Sequence, residues 1–103
     1  MTTWHLNRLS REWVGPITVT ADGDPVMGWT YALLPVGERP VAPEDIDGVP
    51  TALPGGLGVL VGPDTAHVLA PGEYALWVRY VDTPEAPVRD DVGRIIIHRG
   101  ASS

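Results

Sequence analysis

Leu69-Ala-Pro-Gly-Glu-Tyr-Ala-Leu-Trp-Val-Arg-Tyr-Val81 decides how the rest of the chain is read. Pro71-Gly72 is a turn. From Glu73 onward the residues alternate. Tyr74, Leu76, Val78 and Tyr80 fall on one face, and Glu73, Ala75, Trp77, Arg79 and Val81 on the other. A period of two, carried by aromatic and β-branched side chains, predicts one long β-strand.

Composition agrees with a β reading. The 103 residues suit one domain with one core. Twelve Gly and eleven Pro cut the chain into short pieces, so no stretch is long enough for a good helix. No Cys is present, so no disulfide is expected and the redox compartment stays open. The start Met1-Thr-Thr-Trp-His lacks a basic beginning and an apolar run, so neither a signal peptide nor a membrane span is expected. Thirteen acidic residues oppose seven basic ones, all Arg, for a net charge of −6. That balance disfavours binding to nucleic acid, which needs clustered positive charge.

Working outward, Trp4–Leu9 reads either as a short strand or as an extended arm within residues 1–13. Gly15-Pro16 reads as a bend. Ile17–Ala21 reads as a strand with Ile17, Val19 and Ala21 inward. Asp22-Gly-Asp-Pro25 is a turn, with Asp-Gly supplying the positive φ of a tight hairpin. Val26–Leu34 is the next strand, with Trp29, Tyr31 and Leu33 on one face and Thr30, Ala32 and Leu34 on the other. Both faces are apolar, so the buried one stays open. Residues 35–56 are irregular, Pro-rich and too long for an ordinary loop, with room for a short edge strand around Gly48–Leu53. Leu57–Val61 reads as a buried strand and Val92–His98 as the last one, with Ile95 and Ile97 inward. Asp82–Val88 is an exposed loop. About seven short strands with turn signals between them predict an antiparallel all-β sandwich; a small open barrel is the alternative. Tyr74, just after Pro71-Gly72 and two before Leu76, matches the tyrosine corner of immunoglobulin-like sandwiches, where a Tyr hydroxyl bonds back to the upstream chain.

Catalytic patterns are absent. The serines are Ser10, Ser102 and Ser103, and none sits in a nucleophile elbow. His5, His67 and His98 are far apart in sequence, with no carboxylate spaced to orient them, so they read as surface or half-buried residues. Asp45-Ile-Asp-Gly48 faintly resembles a calcium loop but lacks the downstream bidentate Glu. Asp22-Gly-Asp24 and Asp90-Asp91 read as turn chemistry. No enzyme, metal or cofactor is expected. With Tyr74 inward, Trp77, Arg79 and Val81 point outward, the composition of an interaction hot spot, unless the 35–56 loop or the N-terminal arm covers Trp77.

Several segments carry a family resemblance. Ser10-Arg-Glu-Trp-Val14, Tyr31-Ala-Leu-Leu-Pro35, Val59-Leu-Val-Gly-Pro63, Pro71-Gly-Glu-Tyr-Ala-Leu-Trp-Val78 and Asp82-Thr-Pro-Glu-Ala-Pro-Val88 occur in this order before a Gly-x-Ile-x-Ile ending. The chain so resembles small structural proteins of tailed phages of actinobacteria, and the immunoglobulin-like domain of some phage baseplate proteins. It departs from them in the acidic Glu44–Asp47 loop and the N-terminal extension. The resemblance implies a non-catalytic virion component, assembled in the host cytoplasm. It would meet other virion proteins in multiple symmetric copies, with no nucleic acid or membrane partner. The contacts expected are Trp77, Arg79 and Val81, the Trp4–Trp13 segment, and Pro84 and Glu85 in the Asp82–Val88 loop. The alternatives are a carbohydrate-binding or adhesion module, using a surface Trp to stack on a sugar, and a small enzyme with a convergent His–carboxylate site.

Overall fold

Alternation in the chain becomes burial in the structure, a computed structural model that describes residues 2–26, 28–81 and 85–99. Among these, nine strands form, with one 3-10 turn at Pro43–Asp45. They are β1 (Thr2–Asn7), β2 (Glu12–Ile17), β3 (Thr20–Ala21), β4 (Asp24–Pro25), β5 (Thr30–Pro35), β6 (Thr51–Leu53), β7 (Gly56–Val61), β8 (Gly72–Arg79) and β9 (Val88–His98). A four-stranded sheet runs β1-β9-β8-β5, a three-stranded sheet β2-β7-β6, and β3-β4 form a two-residue ribbon. Pairings within the sheets are antiparallel except β1 with β9, which is parallel. The chain is therefore all-β, compatible with a β-sandwich.

One core joins the two larger sheets. Leu6, Tyr31, Tyr74, Leu76, Val78, Ile95 and Ile97 come to it from the first sheet, and Val14, Ile17, Val59 and Val61 from the second. Tyr74, Leu76, Val78 and Tyr80 are all buried, as their parity predicts. On β5 the open choice resolves toward Trp29 and Tyr31, which are buried and meet edge to face at 6.4 Å, with Leu33 packed against the same cluster. Tyr74 donates its hydroxyl hydrogen bond to the Ala70 carbonyl at 2.7 Å. Tyr74→Phe keeps the ring and frees that carbonyl to water, since Ala70 is exposed. A loss of about 0.5–1.5 kcal/mol in urea denaturation is expected, the net scale of one hydrogen bond.

Four local expectations change. Gly15-Pro16 is not a bend ahead of a strand but an irregularity inside β2, where the ladder with β7 breaks between Val14 and Ile17 on an edge strand that tolerates a missing N–H. Ile17–Ala21 is not one strand: β2 ends at Ile17, and β3 begins at Thr20 as half of a separate ribbon. The inward set Ile17 and Val19 is nonetheless buried. Val26–Leu34 shortens to Thr30–Pro35, and Asp90-Asp91 lie within β9 rather than in a turn. Asp91 pairs with Arg89 at 3.0 Å, and the Arg89 hydrogen bond holds the Asp91 carboxyl below its ordinary range. The pair is exposed, so its contribution is small. The Asp22-Gly23 turn behaves as read, with φ of 52° and 85° in the two-residue link between β3 and β4.

Candidate functional site

The outer face of the four-stranded sheet holds the candidate site, because β8 turns Ala75, Trp77 and Arg79 away from the core. Trp77 stands opposite Ala32 of β5. On its other side the β8–β9 ladder breaks between Leu76, paired with Gly93, and Val78, paired with Arg89. Residues 90–92 of β9 thus bulge against the single residue Trp77, which widens the sheet there.

The loop after β5 folds over this face. Three fastenings hold it. The Asp45 carboxylate accepts hydrogen bonds from the backbone N–H groups of Val41 and Ala42, each at 3.0 Å. Ile46 is buried. Gly48 pairs with Tyr31 through two backbone hydrogen bonds of 2.9 Å. A Cβ at Gly48 would lie 2.7 Å from the Tyr31 ring, so the approach requires glycine. Within the acidic run, Asp45 ties the loop to itself. Asp47 lies near enough to Tyr31 to act on its hydroxyl.

Under the loop is a cavity of about 390 Å³. Trp77 forms its floor, and Pro40, Val41, Pro43, Ile46 and Val88 its walls. A second hollow of about 240 Å³ lies on the other flank of Trp77, between Arg39, Ala75 and Arg94. Trp77 is half-buried, yet its Nε1–H is shielded from solvent and finds no acceptor among the described residues. Buried indole N–H groups usually find a partner, and one left unmade costs about 1–3 kcal/mol. Val41 beside it is 94% exposed and Val88 43% exposed, and Arg39 adds one charge to an otherwise apolar lining.

The other expected contacts are scattered. Arg79 is half-buried on β8. Val81, 71% exposed, borders a different hollow beside the β3–β4 ribbon and Tyr80. Trp4 is half-buried, packs against the core and covers Gly93 of β9. Trp13, 45% exposed, belongs to β2 in the other sheet. Pro84 lies outside the described residues, and Glu85 is exposed. The N-terminal segment is not a free arm over residues 2–7, since β1 is hydrogen-bonded to β9 in the chain's own sheet. The loop residues around Trp77 carried no periodic signal; their part comes from the fastenings at Asp45, Ile46 and Gly48.

The histidines are exposed or half-buried, as read, but two of them meet. Far apart in sequence, His5 and His98 meet on neighbouring strands, with His5 Nδ1 and His98 Nε2 3.1 Å apart. His67 is elsewhere, against Tyr31. Burial pushes the His67 imidazole below its ordinary value, and burial followed by the Asp47 charge pushes the Tyr31 phenol up. The neutral pair is joined by a hydrogen bond of 2.6 Å between the Tyr31 hydroxyl and His67 Nε2. It pins the loop 62–67, which is closed by Gly62 N–H to the His67 carbonyl at 3.0 Å and Thr65 Oγ1 to the Gly62 carbonyl at 2.7 Å. No group of three or more His, Cys, Asp or Glu converges among the described residues.

A depressed imidazole has a defined pH consequence. Its contribution is fully present above the unfolded value of about 6.5. As pH falls through that value the unfolded chain takes up a proton that the fold resists, and stability declines until the folded value is reached. Urea denaturation between about pH 7.5 and 5 should therefore show a decline to which His67 contributes, and His67→Gln should flatten it. An identical slope in the variant would mean that other groups carry the whole effect.

Comparison with protein-family models, with curated proteins and with solved structures finds no match to this chain.

Proposed function

We propose that this chain is a non-catalytic structural protein of a phage virion. On this reading it docks on capsid, head–tail connector or tail proteins in multiple copies, through the outer face of its four-stranded sheet. The observation that carries the reading is the open, largely apolar cavity over Trp77. Such a site accepts an apolar side chain of a partner protein. Interface hot spots are enriched in Trp seated in desolvated pockets with neutral contacts around them.

The fold is read further as immunoglobulin-like, and the strand order supports this. β2-β7-β6 correspond to the B, E and D strands, and β9-β8-β5 to G, F and C, with the first strand laid beside G. Tyr74 then stands near the start of F and bonds back to Ala70. On this reading Leu76, two residues on, stands where disulfide-bonded members carry Cys, and it is completely buried.

Mass spectrometry of purified particles of the encoding phage tests the assembly reading. Recovery of the chain in a fixed ratio to the major capsid or tail proteins is expected. Its absence from particles, together with binding of the isolated protein to a cell-wall glycan that Trp77→Ala abolishes, would favour a carbohydrate-binding module instead.

A further inference from the structure

We propose that His5 and His98 form a two-imidazole site for a divalent transition-metal ion of the nickel, copper or zinc type, clasping the first strand to the last. The site follows from the parallel β1–β9 register. Trp4 pairs with Ile95 and Leu6 with Ile97, and these side chains turn to the core. His5, opposite Ile96, and His98, opposite Asn7, therefore project from the outer face, on adjacent strands and one step apart. Both rings are accessible there, centred 5.3 Å apart and inclined by 17°. The backbone beneath them is held by the β1–β9 ladder, extended by the hydrogen bond from Arg8 N–H to the His98 carbonyl at 3.0 Å.

The spacing fits one shared ion. With metal–nitrogen bonds of ~2.0–2.1 Å, two imidazole nitrogens lie about 2.9 Å apart at a right angle and about 3.4 Å apart at a tetrahedral angle. The observed 3.1 Å separation lies between these. Without an ion, one ring N–H donates to the lone pair of the other. A metal takes the place of that proton, and rotation of the exposed His5 ring and the half-buried His98 ring aims both lone pairs at it. No third His or carboxylate joins them among the described residues, so water completes the coordination. Two neutral nitrogens with no carboxylate suit nickel, copper and zinc and do not suit calcium or magnesium. The two ligands are separated by 93 positions in the chain, so a bound ion closes a very long loop and stabilises the fold by mass action.

The test uses the full chain without an affinity tag, titrated with NiCl2 or ZnCl2 and followed by calorimetry and by thermal unfolding. One ion per chain is expected, with a midpoint that rises by several degrees as the metal is added. Both effects should vanish in His5→Asn and in His98→Asn, persist in His67→Asn, and be lost in acid, where protonated imidazole cannot ligate. MgCl2 and CaCl2 should leave the midpoint unchanged. Absence of binding to the wild-type chain would overturn the proposal. So would a metal response that survives in either single variant while circular dichroism shows both variants folded.

Discussion

Leu76→Ala is expected to destabilise the fold by about 2–5 kcal/mol, near the upper end of that range. Leu76 has no exposed surface and lies on β8, which has a strand on either side. Its neighbours in register are Leu33 on β5 and Gly93 on β9. Gly93 has no side chain that could move into the space, and Trp4 already occupies the ground above it. The cavity should therefore collapse little, which is the condition under which such truncations cost most. A domain of this kind is held by about 5–15 kcal/mol, so the variant should lose a large share of its stability and unfold at much lower denaturant. Chemical denaturation with an unchanged slope would give the figure. A loss under about 1 kcal/mol would mean that Leu76 is not at the centre of a packed core.

Gly62→Ala should cost a comparable amount for a different reason. Gly62 follows β7, is buried and has a φ of 130°, a conformation that L-residues rarely adopt. A Cβ there would also run into the Ser10 carbonyl oxygen and stand 2.7 Å from the Arg11 Cα. Both obstacles are backbone at the entry to β2, so relief requires the strand itself to shift. Strain alone accounts for about 1–3 kcal/mol, and the clash adds to it. Gly37→Ala separates the two contributions. Its φ is 101°, but nothing lies within 4 Å of the added Cβ, so only strain remains. Gly62→Ala should therefore unfold at clearly lower denaturant than Gly37→Ala. Equal midpoints would show that the approach of residue 62 to residues 10–11 is not tight.

What was legible in the sequence was local. The alternation from Glu73 to Tyr80 identified the core face of β8, and Ile95 and Ile97 that of β9, because a strand's parity depends only on its own residues. Asp22-Gly23 was legible as a hairpin link because its chemistry is contained in two residues. What was not legible depends on partners distant in the chain. β2 passes through Gly15-Pro16 because it lies at a sheet edge, a property of topology and not of the dipeptide. β9 reaches back through Asp90-Asp91, with a break in its ladder with β8 opposite Trp77. His5 and His98 meet through a parallel pairing that no spacing announces.

Trp77 illustrates both sides. Its outward parity was readable from β8 alone. The loop that half-covers it was not, because that cover depends on Ile46 becoming buried beside Trp77 and Gly48 fitting against Tyr31. The outcome is a Trp that is neither core nor bare surface. It floors a largely apolar cavity, and this turns an aromatic on a strand into a specific candidate contact.

The central claim is that this cavity is where the chain joins a particle. The direct measurement compares particles from a phage whose only copy of this protein is wild type with particles carrying Trp77→Ala, quantifying the protein in each by mass spectrometry. Trp77→Ala must first unfold at a midpoint close to that of the wild type, so that a folding defect is set aside. The account predicts that the folded variant is largely lost from purified particles while remaining in the lysate. Incorporation of the variant at the wild-type level would contradict it.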